Sequence, residues 1–344
     1  MTYLYVILSL VVNLNDLSEL KKLIDILKKI QDYFLQKYGV NDIYSNSKIF
    51  EIVIANELNH ELIPGHSGSK DAKNALGEFE YKHFKETSSN HSWTFNDYTD
   101  TTIEGLKKIH SAIFAHIDDQ QFPPVLDWYI EVDGKTCSNY LDKRTKELLA
   151  AKPKGKVNDR KMINFGPSQL ERDLGVKKTK VSSINKNGKY YEKIILIQKI
   201  SKQLEKITGI SQIFTSNKFW ELLPAIILEH QVLSEQSGHD AKDSLGNTYE
   251  YKVSKNHSWQ FQDISPNVLH KYESDKEVIL AVVDKQNIVV TNIYSANSQK
   301  VVKRLKEKLE SKRANLAEKG KELRRSQVVL GKGDLILIGA RKLF

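Results

Sequence analysis

The chain has a single cysteine, Cys137, among its 344 residues, so it can close no internal disulfide and supply no thiolate cage for zinc. That scarcity points to a reducing compartment, and the expected location is the cytoplasm. Glycine and proline are also few, at 17 and 7, which excludes a collagen-like repeat or a disordered Pro/Gly-rich chain. Long hydrophobic runs are missing too. The apolar stretch 3–12 is too short to span a bilayer, has no basic residue before it, and meets the polar and acidic segment 13–19 instead of a small-residue cleavage site. It is expected to be a buried strand or helix start, and no membrane partner is expected.

What is present is the composition of a soluble globular chain, 40% hydrophobic and 28% charged. Fifty-two Lys and Arg against 43 Asp and Glu leave a net charge of +9, which favours a polyanionic partner without requiring one. The length exceeds what one hydrophobic core usually serves and suits two domains.

Much of the first half recurs about 170 positions later. Gly39, Ile43, Lys48, Glu51, Ala55, Leu58, His60, Ser67 and Gly68 return, at one offset, as Gly209, Ile213, Lys218, Glu221, Ala225, Leu228, His230, Ser237 and Gly238. After a one-residue slip Asp71-Ala72-Lys73 matches Asp240-Ala241-Lys242, and a second slip restores the first offset for Glu80-Tyr81-Lys82 against Glu250-Tyr251-Lys252. Beyond a four-residue length difference Asn90-His91-Ser92-Trp93 answers Asn256-His257-Ser258-Trp259, and the apolar run 113–117 answers 279–283. The slips fall where turns are expected. Each unit has one order: a helix, a second helix entering a loop, a hairpin, a polar connection, an apolar strand pair and a basic tail. This is an α/β (α+β) unit of normal domain size, and the division is placed at 1–180 and 181–344. In the first helix Leu20, Leu23, Ile24, Leu27, Ile30 and Phe34 have the spacing of one helical face.

The hairpin carries the chemistry. Strand side chains alternate faces, so Glu250 and Lys252 share one face while Tyr249 and Tyr251 take the other, and Asp240 can return across the turn to meet them. Two carboxylates beside a lysine can hold a hard divalent cation such as Mg2+ through oxygen, with the ammonium near the water or the scissile phosphate. Asp71, Glu80 and Lys82 repeat the set, one residue shorter between the carboxylates. In one copy these would be ordinary surface-hairpin residues. Their survival in both copies, while most flanking exposed positions differ, favours a site.

These residues resemble the PD-(D/E)XK nuclease superfamily, and the surrounding wording is similar to the PvuII-like type II restriction endonucleases. The resemblance runs through 37–44 (KYGVNDIY), 62–65 (LIPG), Asp71-Ala72 and Glu80-Tyr81-Lys82, and in the second unit through Asp240 to Lys252. It covers most of each unit and weakens after Tyr140 and after Ser298. Enzymes of that family are homodimers that cut double-stranded DNA at short palindromes using magnesium. The resemblance therefore implies two tandem restriction-endonuclease-like domains fused into a monomeric pseudo-dimer, with Asp71, Glu80, Asp240 and Glu250 as metal ligands, Lys82 and Lys252 as catalytic partners, and a cognate DNA methyltransferase in the same system. One departure stands out: where the family has an acidic residue three before the hairpin Asp, this chain has Gly68 and Ser237.

After each hairpin, Asn96-Asp97 and Gln262-Asp263 occupy the place where the family carries its base-reading histidines. An amide can pair two-fold with adenine and Asp can accept from cytosine N4, so the target is expected to differ from the family prototype's. The neighbouring Trp and Phe are expected in the core. His60, His230, His91 and His257 are expected to be satisfied structural histidines. Glu51 and Glu221 are read as helix-face groups, either solvated or bonded to the hairpin, with a second-metal role as the alternative. The segment 301–325 is expected to be an amphipathic helix around Val302, Leu305 and Leu309, with Lys303, Arg304 and Arg324 as candidate phosphate contacts. Two functions stay open at this stage: a magnesium-dependent type II site-specific deoxyribonuclease, and a non-catalytic or nicking DNA-binding protein.

Overall fold

The computed structural model describes residues 14–45, 47–64, 70–95, 100–151, 162–181, 184–234, 238–320, 323 and 326–344. The apolar stretch 3–12 lies outside these residues.

The first half runs α1 (Leu14–Tyr38), α2 (Lys48–Glu57), β1 (Glu61–Leu62), β2 (Ala72–Asn74), β3 (Gly77–Lys85), β4 (Trp93–Phe95), α3 (Asp100–Leu106), β5 (Ser111–Asp118), β6 (Val125–Asp133), α4 (Gly134–Ala150), β7 (Ile163–Phe165), α5 (Pro167–Leu174) and β8 (Thr179–Lys180). The second runs α6 (Tyr191–Thr208), α7 (Lys218–Leu228), β9 (Gln231–Val232), β10 (Ala241–Lys242), β11 (Thr248–Ser254), β12 (Ser258–Phe261), α8 (Pro266–Ser274), β13 (Glu277–Asp284), β14 (Val289–Asn297), α9 (Ser298–Ala317), β15 (Val328–Gly331), α10 (Lys332–Leu337) and β16 (Arg341–Lys342). The expected order of elements is present twice, in a mixed α/β architecture.

Each half has one mixed sheet, ordered β1-β2-β3-β5-β6-β8 in the first and β9-β10-β11-β13-β14-β16 in the second. The hairpin strands are antiparallel, β3 and β11 then pair parallel with β5 and β13, and the next pair is antiparallel again. Strands β5 and β13 are buried almost throughout, which is why their sequences are continuous apolar runs. Even a register shift recurs, between His116 and Ile117 and between Val282 and Val283.

Recurring glycines have a backbone reason. Gly39 and Gly209 end the first helix of each half at φ 67° and 74°, where an L side chain is strained, and their N–H groups donate to Leu35 O and Glu205 O. In α1, Leu20, Leu23, Leu27, Ile30 and Phe34 are buried, as their spacing predicts, while Ile24 is half-buried. The basic tails are more structured than their composition suggests: β7 returns to pair with β4, and β15 with β12.

The compact units are Tyr33–Lys199 and Met1–Asp32 with Ile200–Phe344. The 1–180 and 181–344 division follows the repeat, whereas compactness follows which apolar faces are covered together. Among the described residues no helix is long and apolar enough to cross a membrane.

Candidate active sites on the two hairpins

In the first half the turn 75–76 joins β2 to β3 directly, with Asn74↔Gly77 the last facing pair. In the second, Asp243 caps a longer loop, accepting from Leu245 N and Asn247 N, both at 2.9 Å, and from Tyr249 Oη at 2.8 Å. The one-residue slip between the copies is this loop.

Both aspartates are pinned by backbone. Tyr81 N donates to Asp71 Oδ2 at 2.8 Å and Tyr251 N donates to Asp240 Oδ2 at 2.9 Å, which aims each carboxylate along the strand that carries the Glu and Lys. Lys82 and Lys252 donate to Glu80 Oε1 and Glu250 Oε1 on the same strand face, as alternation predicts. The structure therefore brings Asp71 to Glu80 and Lys82, and Asp240 to Glu250 and Lys252. Burial raises the Glu80 carboxyl to about 7 despite Lys82, and raises Glu250 for the same reason. Burial disfavours the Lys82 and Lys252 ammoniums, but the surrounding acidic groups, Glu80 and Glu250 foremost, together outweigh it and their pKa values rise. Each lysine faces an aromatic ring: Lys82 Nζ lies 5.0 Å from the Phe95 centroid, and Lys252 Nζ lies 5.5 Å from Phe261.

A second lysine joins each site, and sequence reasoning gave it no role. Lys48 pairs with Glu51 and stands 3.7 Å from Asp71 Oδ1. Lys218 pairs with Glu221 at 2.7 Å and donates to Asp240 Oδ1 at 2.8 Å. The signal was present, since both recur at the common offset as the first residues of α2 and α7. Glu51 and Glu221 are not solvated helix-face groups: their side chains are only 17% and 14% exposed and they belong to this charged cluster. Burial, then the charge of Asp71, raises Glu51 to about 8; burial, then Asp240, raises Glu221 to about 7.

Among the described residues two further groups appear only in the second half. Lys271 Nζ lies 3.7 Å from Glu250 Oε2, and Tyr272 places its ring 5.5 Å from Lys252 Nζ. The segments from Trp93 to Ser111 and from Trp259 to Glu277 have equal length, so Gly105 and Leu106 take these positions in the first half. Because they do not recur, no repeat signal marks them.

The orphan atoms are informative. Glu80 is buried and its Oε2 has no hydrogen-bond partner; Glu250 Oε2 likewise accepts no hydrogen bond. A buried carboxylate oxygen without a donor costs free energy unless a ligand satisfies it. Among the described residues no three His, Cys, Asp or Glu side chains already stand as a metal cage. The carboxylates are instead neutralised by lysines, which hold the oxygen donors in one place. That donor set, hard oxygens with Glu80 Oε2 and Glu250 Oε2 among those left without a hydrogen bond, fits magnesium.

The other expectations divide. Gln262 and Asp263 are exposed and follow directly on Phe261, the ring beside Lys252. Asn96 and Asp97 lie outside the described residues, as do Ser67, Gly68, Ser237 and Arg324. Trp93 and Trp259 are buried core, each donating from Nε1 to a carbonyl, Ala115 O at 3.0 Å and Ala281 O at 2.8 Å. His60 Nδ1 meets Tyr81 Oη at 2.7 Å and His230 Nδ1 meets Tyr251 Oη at 2.9 Å, so the recurring histidines brace the back of the site strand. His91 and His257 are likewise partnered, by Glu86 O and Tyr294 Oη. Arg304 is held by Asp334 at 2.7 Å and Glu307 at 3.2 Å, which leaves it a poor phosphate contact, whereas Lys303 is exposed. Cys137 is buried, and burial followed by the charge of Glu80 pushes its thiol to about 12, so it is no nucleophile.

No family model matches the chain, and no curated protein matches it.

Proposed function

We propose that the protein is a magnesium-dependent endonuclease of the type II restriction class, cutting double-stranded DNA with one hydrolytic site in each half. The observation that supports it is the double occurrence of one charged arrangement: a backbone-pinned Asp, a buried Glu with an unsatisfied oxygen, and a Lys beside it. The resemblance of these segments to PvuII-like enzymes points the same way.

In this reading Asp71 with Glu80, and Asp240 with Glu250, hold magnesium, which when bound lowers the pKa of attacking water and offsets charge on the phosphate. Lys82 and Lys252 stabilise negative charge that develops on the phosphate during in-line attack, from positions steadied by Phe95 and Phe261. The Tyr81 and Tyr251 amides keep the aspartates from rotating away. Gln262 and Asp263 read base edges in the major groove, with Asn96 and Asp97 in the corresponding role for the other half-site. Divergence between these pairs removes the requirement for a strict palindrome that identical protomers impose.

The test is incubation of several supercoiled plasmids with the full chain and magnesium. Discrete linear fragments support the reading. DNA left intact with every plasmid, while binding persists and Lys82→Ala and Lys252→Ala change nothing, would leave a non-catalytic DNA-binding protein.

A further inference from the structure

We infer that the two sites are electrostatically unequal: Lys271 gives the second-half site one more positive charge than the first, so the first-half site takes a divalent cation more readily and cuts its strand first. The inference rests on the nuclease reading and specifies how that site is regulated.

The difference is countable. The first-half cluster sets the ammoniums of Lys48 and Lys82 against the carboxylates of Glu51, Asp71 and Glu80. The second sets Lys218, Lys252 and Lys271 against Glu221, Asp240 and Glu250. The carboxylates match three for three, so at equal protonation the second cluster carries one more positive charge than the first. No lysine of α3 replaces Lys271, because Gly105 occupies its position and the next lysine, Lys107, is paired with Glu104 at 2.6 Å. Lys271 lies on the oxygen that matters. Neither Glu80 Oε2 nor Glu250 Oε2 accepts a hydrogen bond, but Glu250 Oε2 has the Lys271 ammonium 3.7 Å away. A cation arriving at the second site competes with the Lys271 ammonium beside that oxygen; among the described residues no lysine ion pair is formed by the corresponding oxygen of the first. Since Lys271 is 39% exposed, solvent screens much of its charge, and a difference in cation affinity of roughly fivefold to tenfold is expected.

Calorimetric titration of the DNA-free chain with Mn2+ reads this without any cutting. Two classes of site are expected in the wild type, separated by that factor. Lys271→Ala should bring them within about twofold of each other by strengthening the weaker class, and Lys271→Arg should keep them apart. Gly105→Lys should weaken the tighter class. On plasmid at limiting magnesium, nicked circles should accumulate with the nick in one strand, the same strand that Glu250→Ala nicks. Binding of fewer than two ions, a single class of two, two classes unmoved by Lys271→Ala, or nicks shared equally between strands would overturn the inference. If the classes shift as expected but no DNA is cut, the nuclease reading fails and the inequality stands; if DNA is cut and the classes are equal, the reverse holds.

Discussion

Among the described residues Glu80 forms one close ion pair, with Lys82, whereas Glu250 forms two, with Lys252 and with Lys271 at 3.7 Å. The groups on the hairpin strands are the same in both, the Asp on a Tyr amide and the Glu and Lys two apart on one strand face, and a His from before the hairpin braces the Tyr between them in each. The differences come from the helix after β4 and β12 and from the loops. Groups fixed by strand geometry cannot drift without moving the backbone ladder, whereas a side chain reaching in from a neighbouring helix can be exchanged singly. Leu106 and Tyr272 illustrate this, both buried at one structural position, one apolar and one with a hydroxyl.

The largest expected effect separates the sites as catalysts. Glu80→Ala alone should slow cutting of one strand by about 10²-fold or more, and Glu250→Ala alone should do the same to the other, so that each variant nicks with opposite strand preference. Plasmid topology and end mapping read this. Loss of both cuts from either single change would mean that the halves do not act independently.

An effect on stability, not on cutting, tests the second lysines. Lys218 is more enclosed than Lys48, at 6% against 14% side-chain exposure, and closer to its hairpin Asp, at 2.8 Å against 3.7 Å. Removing one partner of a buried ion pair strands the other charge, so Lys218→Met should cost about 3–5 kcal/mol in denaturant unfolding, and Lys48→Met less. Equal losses would argue that the two clusters are structurally interchangeable.

Acid stability separates the bracing histidines. Burial, with a smaller contribution from His110, lowers His60 to about 4; burial also lowers His230, there partly offset by Asp243. A group that binds its proton less well when folded contributes stability above its unfolded pKa of about 6.5, and that contribution is lost as pH falls towards the folded value. The His60 share is on the order of 3 kcal/mol, lost between about pH 6.5 and 4. His60→Leu should flatten the acid limb of the stability curve more than His230→Leu; an unchanged slope would contradict the buried neutral form.

The smallest effect lies at the hairpin turns. Asp243→Ala removes a carboxylate that accepts four hydrogen bonds, from Leu245, from Asn247 twice and from Tyr249, and should cost about 1–2 kcal/mol. Asn74→Ala removes one, from Leu76 N, and should cost less. A larger loss at Asn74 would mean that the shorter turn depends on its cap more than the longer one does.

From sequence alone came the duplication, the order of elements in each half, the apolar face of α1, the hairpin and the shared face of Glu and Lys. All of these are written in short-range periodicity or in recurrence, and a strand's two-residue repeat needs no tertiary information. The enclosure of Glu51 and Glu221 by Lys48 and Lys218 was less legible, because a residue in the first turn of a helix is solvated or buried according to what lies against it. Lys48 and Asp71 are far apart in the chain, and no spacing rule joins them. Lys271 and Tyr272 were beyond reach, since they occur in one copy only and approach Glu250 and Lys252 through the packing of α8 beside β11. Covalent order and side-chain alternation determine which residues a strand presents; only the folded arrangement of helix against sheet decides which charges meet them.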